Sequence, residues 1–108
     1  MIYTISEIIE LITPVAKKHN LKAVYLFGSY ARGCATEESD IDLLIDTSGT
    51  SIQTLLDLGA VYCDLEDALQ KPIDLITVSS LLQKIQLPSE ENFRNTIQKE
   101  RKILYAVA

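Results

Sequence analysis

The sequence predicts an α/β (α+β) domain: one small mixed β-sheet with helices packed on it. Short apolar runs bounded by turn residues, KAVYLFG, DIDLLID and KPIDLITV, read as strands. Longer segments with apolar residues at helical intervals lie before, between and after them. The order is helix, strand, strand, helix, strand, helix, helix, which suits helices layered on a sheet.

The first helix is TISEIIELITPVAKKHN, where Thr4 and Glu7 have capping-box spacing and Ile5, Ile8, Ile9, Ile12 and Ala16 recur on one face. Pro14 either kinks it or starts a second short helix capped by Thr13. KAVYLFG is the first strand and ends at Gly28. Ser29 to Ser39 form a turn, with room for one helical turn in SYARG, then a polar loop. DIDLLID is the second strand, and Gly49 lies in the turn after it.

SIQTLLDLGAVYCDLEDALQ is the second long helix, with Ile52, Leu55, Leu56, Gly59, Tyr62, Leu65 and Leu69 as its packing stripe. Gly59 within that stripe costs helix stability and is expected to allow close approach to the sheet. KPIDLITV is the third strand, with Pro72 tolerable at its start. SSLLQKIQ reads as a short helix ended or interrupted by Pro88. SEENFRNTIQKERKILYAVA reads as the last helix, buried through Phe93, Ile97 and Leu104, with basic residues late in it where the dipole favours them.

At 108 residues, the expectation is a single domain over 1–108 that buries a core without staples. Any substrate pocket is then shallow or completed by a partner. Fifteen acidic against ten basic residues give a net charge of -5, which argues against tracking nucleic acid by broad electrostatics. A single nucleotide held through metal ions remains compatible with it. Cys34 and Cys63 have no metal-type spacing and suggest a reducing cytosol. The lone histidine, His19, is far from both in sequence, so no activating base for a thiol can be argued. MIYTISEIIELI has no basic n-region, and no apolar run approaches a membrane span. The expectation is a cytoplasmic protein with no membrane association.

Asp is among the residues that strands use least, yet Asp40 and Asp42 stand in DIDLLID and Asp74 in PIDLI. Side chains alternate across a strand, so Asp40 and Asp42 share one face while Ile41, Leu43 and Ile45 enter the core. Like charges this close repel unless neutralised or protonated. A divalent cation is the obvious remedy, and magnesium is commonly shared between one or two carboxylates and substrate phosphates. If the third strand lies beside the second, Asp74 joins them. Three such acids could hold two metal ions about 3.5–4 Å apart, the arrangement used for displacement at phosphorus.

The turn ahead of these acids fits the same chemistry. Gly28 lets a phosphate approach the backbone. Ser29 offers a hydroxyl at the start of a helical turn, and Arg32 offers a forked donor. Plainer roles exist for each: Ser29 as a helix cap, Arg32 paired with Glu37 or Glu38, and Tyr30 packed rather than stacked on a base. Asp46 shares the face of Asp40 and Asp42 but reads as a solvated acid at the strand end. Asp57, Asp64, Glu66 and Asp67 read as a solvated helix face.

GSYARGCATEESDIDLLID followed by PIDLI resembles the DNA polymerase beta superfamily of nucleotidyltransferases. Within it, the brevity of the chain and the ending FRNTIQKERKILYA resemble the minimal nucleotidyltransferases (MNT), antitoxin partners of HEPN-domain toxins. The resemblance implies a polymerase-beta-like nucleotidyltransferase fold. It implies that Gly28 and Ser29 hold a nucleotide triphosphate and that Arg32 contacts phosphate. Asp40 and Asp42 would ligate two Mg2+ ions, and Asp74 would complete the ion that activates the acceptor hydroxyl. For the minimal group it further implies ATP as donor and transfer of AMP to a tyrosine of the HEPN toxin, silencing its RNase activity. A non-catalytic antitoxin that masks the toxin by complex formation is the alternative, and a transferase acting on a small molecule is a third reading.

Overall fold

The computed structural model describes residues 2–50, 52, 54–78 and 101–107. Thr4 caps helix α1 (Ile5–Lys18) through a reciprocal box: the Glu7 amide donates to Thr4 Oγ1 at 3.1 Å and the Thr4 amide to Glu7 Oε1 at 2.8 Å. Pro14 neither breaks this helix nor starts another. It lies on the exposed side, where water can serve the Glu10 carbonyl that its missing N–H would have bonded. Asn20 then turns the chain with a φ of 56°, and Leu21 is tied back to the Ala16 carbonyl.

Strands β1 (Ala23–Phe27) and β2 (Ile41–Asp46) form an antiparallel pair, separated by the short helix α2 (Gly28–Arg32). Helix α3 (Leu55–Leu69), capped by Thr54 and Asp57, leads to β3 (Ile73–Thr77), which joins β2 in parallel. The one helical turn in SYARG is therefore present as α2. The sheet is mixed, as the sequence predicts.

The chain's last described segment corrects the expectation. Residues 102–106, read as the end of a helix, form strand β4 (Lys102–Ala106), antiparallel to β1. The sheet order is β3-β2-β1-β4, so β4 satisfies a backbone edge of β1 that would otherwise lie open. KILYA is rich in strand-favouring side chains, and its buried Leu104 suits either period. The expected helix in SSLLQKIQ, the break at Pro88, and Phe93 and Ile97 lie outside the described residues.

The core sits between the sheet and the two long helices. It joins Ile8, Ile12 and Ala16 of α1, Leu26 of β1, and Leu65 of α3 with Ile41, Leu43 and Ile45 of β2. Each buried Ile or Leu among them contributes about 1.5–3 kcal/mol, whereas strand propensities span only ~1 kcal/mol. Three buried aliphatics thus hold DIDLLID in a strand despite its aspartates.

Of the expected α3 stripe, Leu65 and Leu69 are fully buried and Ile52 and Tyr62 pack against the core, whereas Leu56 is 85% exposed and Val61, outside the stripe, is fully buried. A Cβ added at Gly59 would meet nothing within 4 Å, so Gly59 marks no close approach to the sheet. LLDLGAVY is apolar nearly all round, and only packing chooses its phase.

Candidate active site

Phe27, the last residue of β1, lies opposite Asp42 in the antiparallel register. The chain must turn there without striking that carboxylate. Gly28 does so at a φ of +73°, and a Cβ at this position would overlap Asp42 Oδ2 and approach Cγ to 2.9 Å. Glycine is thus required both for conformation and for space. The turn continues as α2 and is closed by Gly33 at a φ of 78°, with the Cys34 amide donating to the Ser29 carbonyl at 3.0 Å.

The parallel register sets Asp42 of β2 directly beside Asp74 of β3. Their carboxyl groups lie within hydrogen-bonding reach of each other, a contact that favours a protonated Asp42. Burial, the bond to Asp74 and the charges of Asp74 and Asp40 together push Asp42 up to about 7, while the Arg32 guanidinium pulls it down. Asp42 is half-buried, while Asp40, Asp74 and Arg32 are exposed. The cluster therefore opens to solvent on the side where a substrate would arrive.

Asp40 immediately precedes β2 and acts on Asp42 through its charge. Among the described residues, no three Asp, Glu, His or Cys side chains gather closely enough to hold a metal ion. The register brings Asp42 and Asp74 together, with Asp40 near enough for its charge to be felt at Asp42. The pair itself fits a hard divalent cation: both donors are oxygens, they share one solvent-open face, and their mutual repulsion is what a cation would relieve.

The plainer roles weighed for Ser29, Tyr30 and Asp46 resolve individually. Ser29 lies inside the first turn of α2, whose N-cap is Phe27, so Ser29 is not the cap. Tyr30 is 4% exposed and packs in the core instead of offering a face to a base. Asp46 accepts the Ser48 amide at 2.9 Å. Partial burial opposes its ionisation, but the Ser48 bonds and Lys22 hold its carboxyl below the usual value. Cys34 and Cys63 are exposed free thiols, and His19 pairs instead with Asp64 at 2.7 Å. Sequence reading passed over Lys71, which donates to the Tyr30 hydroxyl and to the Glu37 carbonyl, each at 3.1 Å. Its only signal was its place just ahead of PIDLI.

A solvent-open aspartate pair beside a Gly-Ser turn, on a small mixed sheet, defines a domain of the nucleotidyl-transfer class. The comparisons with known proteins agree. The chain matches the description "Polymerase beta, Nucleotidyltransferase" over residues 10–107. A candidate protein adenylyltransferase of Methanocaldococcus jannaschii, MJ0435, is 40% identical over 77 residues, covering 71% of this chain and 81% of that protein. A toxin-antitoxin structure with AMP-PNP superposes with a TM-score of 0.68 at 22% identity, covering 92% of this chain and 73% of that one. A complex of tri-AMPylated Shewanella oneidensis HEPN toxin with MNT antitoxin gives a TM-score of 0.65 at 19% identity, covering 95% and 73%. At those identities the two structures establish a shared fold. The chain belongs to the polymerase beta nucleotidyltransferase family and is a nucleotidyltransferase. That family generally uses ATP and a divalent metal.

Proposed function

We propose that this nucleotidyltransferase is an antitoxin that transfers AMP from ATP to a tyrosine of a cognate HEPN-domain RNase toxin. The observation that carries the reading is the Asp42–Asp74 pair, held beside Gly28 with Asp42 pushed up to about 7. Without a cation, Asp42 is partly protonated near neutral pH, and a Mg2+ ion held by the pair would displace that proton. Asp42 and Asp74 would hold the cation, and Asp40, on the same strand face, would join them once phosphates enter, with two ions expected.

The cation would polarise the α-phosphate and neutralise charge developing on the leaving pyrophosphate. Gly28 gives the triphosphate access to backbone, Ser29 offers its hydroxyl, and Arg32 supplies a forked donor to a phosphate oxygen. In the transfer, the tyrosine oxygen bonds to the α-phosphorus, the bond to pyrophosphate breaks, and the phenolic proton leaves to solvent. The open side of the cluster suits an acceptor brought by another protein.

The names of similar proteins support this reading: a protein adenylyltransferase candidate, and an MNT antitoxin in complex with an AMPylated HEPN toxin. A net charge of -5 speaks against direct nucleic-acid binding. Among the described residues no helix is long and apolar enough to cross a membrane. We place the protein in the cytoplasm, where ATP and Mg2+ are available.

The masking alternative has one observation behind it: among the described residues, Asp40, Asp42 and Asp74 do not form a ready-made cluster of three metal ligands. Transfer of label from α-phosphate-labelled ATP to a co-expressed HEPN partner separates the two readings. Wild type is expected to label the partner in the presence of Mg2+, and Asp40→Ala/Asp42→Ala is expected to lose at least about a hundredfold. An unlabelled partner that is nonetheless bound and inhibited would establish masking instead.

A further inference from the structure

We propose that Lys71 is a positioning residue for nucleotidyl transfer, tying together the three chain segments that carry the site. The inference rests on the transfer reading for its functional part and on geometry alone for the tie. The Lys71 ammonium donates to the Tyr30 hydroxyl at 3.1 Å and lies 5.5 Å from that ring's centroid. Tyr30 belongs to α2, directly after Gly28 and Ser29, and is 4% exposed, so α2 is anchored through a side chain already fixed in the core.

The same ammonium donates to the Glu37 carbonyl at 3.1 Å. Glu37 lies within the turn closed by Thr36 and Ser39, whose Ser39 amide donates to the Thr36 carbonyl at 3.0 Å and whose Thr36 amide donates to Ser39 Oγ at 2.9 Å. Asp40 follows that turn at once. Lys71 itself enters β3, where Asp74 stands three residues on. One cation thus joins the Gly-Ser helix, the turn that delivers Asp40 and the strand that delivers Asp74.

These segments are otherwise joined chiefly through the sheet behind them. The Ile41 amide donates to the Pro72 carbonyl at 3.2 Å, and β2 pairs with β3 from there onward. Residues 33–40 precede that pairing. The Lys71 bond to Glu37 is a link from them across to the β3 side. Loss of the ammonium is expected to loosen 28–40 and leave the core intact. Because the acids act only at a narrow spacing, a shift of about 1 Å costs rate before it costs affinity.

The test compares wild type, Lys71→Met, Lys71→Arg and the control Lys18→Met in two measurements. The first is amide hydrogen exchange without nucleotide. Lys71→Met is expected to speed exchange across 28–40 while leaving α1 unchanged. The second is kcat and KM for ATP in transfer to the toxin. Lys71→Met is expected to lower kcat about ten- to a hundredfold with little change in KM, Lys71→Arg to restore most of the loss, and Lys18→Met to match wild type. Unchanged exchange across 28–40, or an equal rise in α1, would overturn the tie. An unchanged kcat in Lys71→Met would overturn the positioning role. If wild type transfers nothing, the transfer reading fails and the positioning role with it, while the exchange data still decide the tie.

Discussion

Gly28→Ala is expected to destabilise the fold and abolish nucleotidyl transfer together. Alanine at a φ of +73° carries the left-handed penalty, about 1–2 kcal/mol. The new Cβ would also overlap Asp42 Oδ2. Either Asp42 moves away from Asp74 or the turn moves away from β2. Both spoil the same site, because the register pins Asp42 between Phe27 on one side and Asp74 on the other. Denaturant melts should show a loss on the order of 1–3 kcal/mol, and transfer should fall at least about a hundredfold. A variant that folds with wild-type stability and still transfers AMP would show that the close approach of Gly28 to Asp42 has no catalytic consequence.

Asp42→Asn is expected to act in the opposite direction on stability. Folding raises the Asp42 pKa from an ordinary 3.8 to about 7, chiefly through burial and then through Asp74. Between those values the folded protein binds the proton more tightly than the unfolded chain does. The stability contributed by the protonated form is therefore complete below the ordinary value and is lost as pH rises through about 7. Asparagine cannot ionise and retains a donor for Asp74. Without metal, Asp42→Asn should melt higher than wild type at pH 8 and nearly the same at pH 4. The site is half open to solvent, so screening reduces the gain to on the order of 1–2 kcal/mol. A domain of this size shifts in Tm by roughly 4–8 °C for each kcal/mol. Mg2+ should raise the melting temperature of wild type and not that of the variant. An equal or lower melting temperature for Asp42→Asn at pH 8 would mean that the acid pair does not oppose folding.

The two variants show which parts of the site were legible in the sequence. Alternation along DIDLLID placed Ile41, Leu43 and Ile45 in the core, where all three are fully buried. PIDLI needed only a parallel register beside β2 to bring Asp74 to Asp42, and that register is present. These inferences rest on local periodicity, which a sequence displays directly. What was illegible depends on partners distant in the chain. KILYA became a strand because β1 had an unpaired edge, and nothing within the segment records that edge. The α3 face could not be phased from LLDLGAVY because its apolar residues nearly encircle the helix. The placement of Asp40 just ahead of β2 depends on where the polar turn ends, and Lys71 acts through contacts more than thirty residues away.

The most direct measurement is Mn2+ binding followed by electron paramagnetic resonance in the presence of a non-hydrolysable ATP analogue, for wild type, Asp42→Asn and Asp74→Asn. Mn2+ favours the same hard oxygen donors as Mg2+. If the pair is the cation site, wild type binds Mn2+ with the nucleotide, and each single variant loses at least about tenfold in affinity. Equal binding by all three proteins would contradict the claim that Asp42 and Asp74 are kept together in the sheet to hold a metal ion and a nucleotide's phosphates.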